Sequence, residues 1–298
     1  MNETTAKRVG KLLGNLRASV LLTGFIGSAL LLMPLQWVCV KLGLPAAKSI
    51  PLYFHRWLCR LVGIRVHVKG ALYDDGPCLM ASNHVSWLDI PVLSSAMACS
   101  FVAKKEVGAW PFFGTLARLQ QTVFVERDRR AKVGEQRNEI YGRVAGGDRL
   151  VLFPEGTSGD GNQVLPFKSA LMSVAEMGLG DETESQPVVV QPVSIAYTKL
   201  SGLPMTRRFR PFFAWYGDME LFPHLWEAFS LGPIDVVVAF HEPVTLTERG
   251  NRKQLAAYCG ACSAEGLVRA VLGREEIAVE GLKPAFFGAG EPERLAAE

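Results

Sequence analysis

Acidic side chains are nearly missing from the first 70 positions. Glu3 stands alone there against ten lysines and arginines, a local charge of +9 in a chain of 298 residues whose total is +3, so the remainder carries −6. A basic end on a mildly acidic body excludes an evenly basic nucleic-acid binder and points to an anionic partner near the N-terminus. Charge of either sign is absent from positions 18–40. The six cysteines are scattered, two of them inside apolar runs, which excludes a disulfide framework and indicates reduced thiols. The one tight pair, Cys259-Gly-Ala-Cys262, lacks a second pair or a nearby histidine for zinc and reads as helix packing. No Gly-x-Ser-x-Gly occurs, so a serine hydrolase elbow is absent. Gly156-x4-Gly161 is followed by Asn162-Gln163 where a P-loop requires Lys and Ser or Thr, which removes phosphoryl transfer by that route.

What is present, at 49% hydrophobic and 20% charged residues, is a globular composition. At about 1.5 Å per residue, a helix over 18–40 could cross a hydrocarbon core of ~30 Å. Pro34 divides that run, and both flanks are basic. Because positive residues favour the cytoplasmic side, a re-entrant or interfacial hairpin satisfies both flanks better than a simple crossing. A cleaved signal peptide is disfavoured, since no small-x-small site directly follows the apolar run. In 52–62, Phe54, Trp57, Leu58 and Leu61 share one helical face and Arg56 and Arg60 lie away from it, the pattern of a helix on an anionic bilayer. An ordinary amphipathic core helix accounts for that segment by itself nearly as well.

Beyond Lys69, short apolar runs alternate with helical stretches. Strands are expected at 65–68, 78–81, 100–103, 121–125, 150–153, 188–192 continuing through 193–196, and 234–240; helices at 86–98, 131–145, 167–177 and 249–274. Such alternation predicts an α/β fold, a single catalytic domain with a central sheet flanked by helices. The expected organisation is a membrane-binding N-terminal helical segment over 1–63, an α/β domain over 64–275 and a loose tail over 276–298.

Of five histidines, only His84 has a carboxylate five positions on, Asp89. With 29 acids in the chain that is an ordinary coincidence, and context must carry it. The pair falls at a strand-to-helix junction, where active-site groups commonly sit. Five residues of continuous helix would leave the two side chains about 140° apart, so the change of chain direction is what lets them meet. Equally, Ser86-x-x-Asp89 resembles a capping box, with Asp89 serving backbone donors. A second group follows the strand at 150–153: Glu155-Gly156-Thr157-Ser158-Gly159-Asp160-Gly161, a glycine-rich turn able to offer N–H groups to an anion, or simply a tight turn. Arg127, in phase with Val123 and Val125, could hold an anionic or polar headgroup through its planar fork, or it belongs to a solvated strand end, the reading that fits Arg129 and Arg130.

Taken in order, Asn83-His84-x4-Asp89, Trp110-Pro111-x-x-Gly114 to Val125-Glu126-Arg127, Phe153-Pro154-Glu155-Gly156-Thr157 and Val190-x-Pro192-Val193 resemble the glycerolipid acyltransferase family typified by lysophosphatidate acyltransferase. The resemblance covers roughly 50–245. It implies acyl transfer from an acyl-carrier-protein or coenzyme A thioester to a lysolipid hydroxyl, with no metal and no further cofactor. It also implies a membrane surface as partner, at the cytoplasmic face of a bacterial inner membrane. By the same resemblance His84 is the general base and Asp89 its orienting partner, while Arg127, Glu155, Gly156 and Thr157 hold the acceptor. Ser158 stands where phosphate-binding members often carry Arg. The run from Phe153 to Phe167 is similar to the branch that acylates lyso-ornithine lipid, whose headgroup has no phosphate. Lysophosphatidate remains the other acceptor, and a noncatalytic lipid-binding protein or a lipid or thioester hydrolase are the competing functions.

Overall fold

The computed structural model describes residues 3–126, 133–177 and 187–274. The expected tail over 276–298 and Arg127 lie outside them. The N-terminal apolar run does not break at Pro34. It forms one helix, α1 (Glu3–Lys41), which continues through the proline. A proline inside a helix costs roughly 3 kcal/mol, and tertiary contacts on both sides offset it. Ala29 is buried ahead of Pro34, and beyond it the buried Gln36 amide donates to Ala47 O and Leu119 O. The chain turns back at Gly43, whose φ of 63° is left-handed, and α2 (Ala46–Val62) returns.

These helices are not a detached anchor. On α1, Ala18, Leu21, Phe25, Ala29 and Gln36 are buried along one stripe, with large apolar side chains such as Leu12, Leu16, Leu30 and Leu31 exposed opposite. The Arg17 guanidinium, counted above as part of the basic flank, donates to Phe229 O, Leu231 O and Val62 O, capping two helix ends. Arg56 Nε likewise donates to Ser95 O. The face of α2 carrying Phe54, Leu58 and Leu61 packs inward, so the core-helix alternative holds there. Tyr53 and Trp57 are the aromatics left exposed.

The body is an eight-stranded sheet in the order β1-β8-β6-β2-β5-β3-β4, with β7 (Leu203–Pro204) on β6. β1 (Ile64–Lys69), β2 (Cys78–Ser82), β3 (Ser100–Lys104), β4 (Val123–Val125) and β5 (Leu150–Leu152) match the expected strands closely. β6 (Val189–Leu200) runs unbroken through Pro192 and pairs antiparallel with β8 (Ile234–Phe240). Pro192 is tolerated because its carbonyl accepts from His241 N, so its missing N–H would face the same side, beyond the last β8 rung at Phe240. Strand alternation separates two cores. Met80 and Val151 face α1, α2, α3 (Asp89–Ala96) and α6 (Leu221–Ser230). Leu79, Ala81, Leu150 and Leu152 face α5 (Val133–Ala145) and α8 (Arg252–Leu272). α4 (Phe113–Leu119) and α7 (Leu246–Arg249) complete the α-helices among the described residues, and the helix expected at 167–177 is a 3-10 segment, Ser169–Glu176. Cys259 is buried on α8, as helix packing requires.

β5, β2 and β6 are adjacent and mutually parallel, so their C-terminal ends open on one edge of the sheet. That edge is where loops of open α/β sheets bind ligands.

Candidate active site

β2 ends at Ser82, and the chain leaves it through Asn83. The Asn83 amide makes two hydrogen bonds with the β6 backbone, donating to Ile195 O at 3.0 Å and accepting from Ile195 N at 2.8 Å. This clamp fixes the exit angle of the next residue, His84. α3 begins only at Asp89, so the bend required for the pair is present. His84 Nδ1 lies 2.7 Å from Asp89 Oδ2. The same oxygen accepts from Val85 N at 2.7 Å and Ser86 N at 3.0 Å. Both readings of Asp89 therefore coexist: one carboxylate oxygen caps the turn and holds the imidazole. Its other oxygen accepts from Tyr197 OH at 2.7 Å.

Asp89 is fully buried, and a buried carboxylate is tolerated where hydrogen bonds replace water. Tyr197 meets that need from β6. Burial, reinforced by the Asp89 charge, pushes its phenol well above the usual value, so it stays protonated as a donor. Sequence reasoning missed Tyr197. Its signal was an aromatic hydroxyl in phase with Val193 and Ile195 on a buried strand, a polar tip in need of a partner, but the partner lies 108 residues away.

The His84 ring stacks on Phe153 with centroids 4.0 Å apart and planes 16° from parallel, and Phe153 stacks on Phe101. Glu155, from the turn after β5, is 2% exposed. Its Oε1 accepts from His84 N at 2.9 Å and its Oε2 from Leu165 N at 3.2 Å. Desolvation raises its pKa to about 8, against the two backbone donors, which pull it down. Glu155 thus ties the two catalytic-edge loops together. Gly159 N adds a bond to His84 O at 2.9 Å. Gly156 adopts φ 74°, which a side chain would strain. Thr157 is exposed beside it, and Ser158 Oγ donates to Trp215 O. Asp160 accepts from Asn162 at both oxygens, the tight turn that the local sequence allowed.

The other histidines are engaged elsewhere: His67 with Asp235, His224 with Trp87, His241 with Ser194 and His55 with Gln120. Beside the His84 loop lies an apolar cavity of about 220 Å³, lined among others by Phe25, Leu32, Met33, Phe54, Trp87 and Phe113. Its wall includes Phe101, which stacks on Phe153 and through it on the imidazole.

A family model described as Acyltransferase matches residues 63–196. The lyso-ornithine lipid O-acyltransferase of Brucella abortus (strain 2308) is 45% identical across 89% of this chain and 98% of its own length. The chain belongs to the acyltransferase family. It is an enzyme that transfers acyl groups. The lyso-ornithine lipid O-acyltransferase of Rhizobium meliloti (strain 1021) is 43% identical across 85% of this acyltransferase and 86% of its own length. The 1-acyl-sn-glycerol-3-phosphate acyltransferase of Neisseria gonorrhoeae is 32% identical across 60% of this chain and 64% of its own. The crystal structure of the 1-acyl-sn-glycerophosphate acyltransferase from Thermotoga maritima shares the fold. It superposes with a TM-score of 0.60 at 23% identity, covering 91% of this chain and 99% of that one.

Proposed function

We propose that this acyltransferase moves a fatty acyl group from an acyl-carrier-protein or coenzyme A thioester to the free hydroxyl of a lysolipid, with lyso-ornithine lipid as its acceptor. The observation that carries the chemistry is the His84–Asp89 pair beside an apolar cavity. With Nδ1 engaged by Asp89, Nε2 is the nitrogen that takes the acceptor's proton as its oxygen attacks the thioester carbonyl. Asp89 holds the tautomer and stabilises the imidazolium. Collapse of the tetrahedral intermediate breaks the C–S bond. The departing thiolate takes the proton from His84, leaving an ester and a free thiol. A thioester is already activated, so the scheme needs neither a covalent enzyme intermediate nor a metal. The cavity takes the acyl chain, whose burial offers roughly 0.8 kcal/mol per methylene. Arg127, Gly156 and Thr157 are assigned to the acceptor; Glu155, buried with both oxygens on backbone donors, is assigned instead to holding the His84 loop and the turn after β5 together.

The acceptor assignment rests on Ser158, whose neutral hydroxyl stands where a phosphate monoester would call for a cation, and on the two lyso-ornithine lipid relatives. The enzyme works on the cytoplasmic face of a bacterial inner membrane. α1 is long and apolar enough to cross a bilayer. It is nevertheless attached to the body from Arg17 to Gln36, about 28 Å of its length. A crossing would drag that body into hydrocarbon, so α1 lies along the surface with its outer apolar face in lipid. Purified protein given one acyl thioester, with lyso-ornithine lipid or lysophosphatidate supplied separately, tests the reading. Acylated ornithine lipid is expected to dominate. Free fatty acid released without acceptor would make the protein a hydrolase, and no product with either acceptor would make it a noncatalytic binder.

A further inference from the structure

The cavity is apolar along most of its wall and polar at one end. Its catalytic end is marked by Trp110, which packs on Trp215, whose backbone N–H donates to Val85 O. Eleven residues beyond Phe25 on α1, about 16 Å at a helical rise, the wall becomes Gln36, with His55 and Gln120.

Gln36 is 4% exposed. Its Nε2 donates to Ala47 O at 2.9 Å and Leu119 O at 2.8 Å, and two carbonyls on that side fix the orientation of the amide. Its Oε1 is left buried without a partner. Gln120 is fixed in the same way, with Nε2 donating to Ser94 Oγ at 2.6 Å and Cys99 O at 3.2 Å. Gln120 Oε1 must then accept from His55 Nε2, 3.1 Å away. That bond sets the tautomer and makes His55 Nδ1 a bare acceptor, also buried and unpartnered. Desolvation lowers the His55 pKa to about 4, so the ring stays neutral.

The end of the cavity therefore holds two buried acceptors fixed without a partner, and a plain hydrocarbon leaves both unpaired. Resting on the acyl-transfer reading above, we propose that this end binds a hydroxyl carried on the distal half of the donor's acyl chain. The hydroxyl donates to one of the two acceptors, His55 Nδ1 or Gln36 Oε1. The site would make this enzyme selective for hydroxylated acyl donors over plain chains of equal length.

The test uses the purified full-length enzyme, one acceptor, and acyl thioesters of equal carbon number, one saturated and others bearing a single hydroxyl at successive distal positions. For the best-placed hydroxyl, kcat/KM is expected to exceed that of the saturated chain by roughly fivefold, the worth of one net hydrogen bond. In His55→Phe and Gln36→Leu, the ratio between the two donors, measured within each variant, should fall towards one or below. A wild-type enzyme that prefers the saturated chain at every position would overturn the proposal and assign the acceptors to trapped water. Transfer of neither chain would instead overturn the acyl-transfer reading on which it rests.

Discussion

Asp89→Asn separates the two services that one carboxylate performs. The amide keeps the shape and can still accept from Val85 N, Ser86 N and His84 Nδ1 if its oxygen takes the place of Oδ2. Its NH2 then meets Tyr197, whose proton must turn elsewhere in a site where both residues are almost fully buried. The turn survives at a cost of about 1–2 kcal/mol, comparable with a lost cap. The reaction fares worse, because the imidazolium that forms on His84 no longer faces a negative charge. Orientation and charge together contribute about 10²- to 10⁴-fold in acid–base catalysis, or ~3–5 kcal/mol of barrier. Single-turnover rates on purified variant, beside a thermal melt, measure both quantities. Turnover within tenfold of wild type in a folded Asp89→Asn protein would reduce Asp89 to a cap and sink the mechanism.

Tyr197→Phe removes one of the four hydrogen bonds to Asp89 without touching substrate. It should lower kcat about tenfold with KM unchanged, and lower stability by roughly 1–3 kcal/mol; a KM effect alone would contradict a positioning role. Glu155 carries a pKa of about 8 in the folded chain, above the ordinary carboxylate value because of its burial. The folded state then holds a proton that the unfolded state has lost, so wild-type stability declines as pH rises from about 4.5 to 8. Glu155→Gln should flatten that decline in melts taken across the interval, and an unchanged slope would refute it. Met33→Trp narrows the cavity one turn short of Gln36 and should move the preferred donor to shorter chains, read as kcat/KM across a length series. Single cysteines at Arg8 and Lys41 should label from the same membrane side in vesicles; opposite sides would show that α1 crosses.

The sheet was legible because its central strands are buried on both faces and so appear as apolar runs, as in Cys78–Ser82 and Ile234–Phe240. The His84 and Asp89 pair was legible because both partners sit within one short loop. What supports them was not: Tyr197 and Glu155 reach the pair across 108 and 71 residues, and no local spacing encodes contacts closed by a sheet. Pro34 misled for a related reason. Local propensity breaks a helix there, and the Gln36 clamp to Ala47 and Leu119 overrides it. The basic charge of the first 70 residues also divides on folding. Arg17 and Arg56 are spent on backbone carbonyls and Lys48 on Asp148, 2.6 Å away.

The inner face of α1 walls the cavity, and its outer face carries Leu30, Leu31 and Leu35. Only one helix diameter, about 10 Å, stands between the two. On the proposed placement of that outer face in lipid, an acyl chain would pass sideways between two apolar phases without crossing water. The reaction would then obey surface dilution: its speed would follow the mole fraction of substrate in the bilayer, and adding inert lipid would slow it at constant bulk concentration.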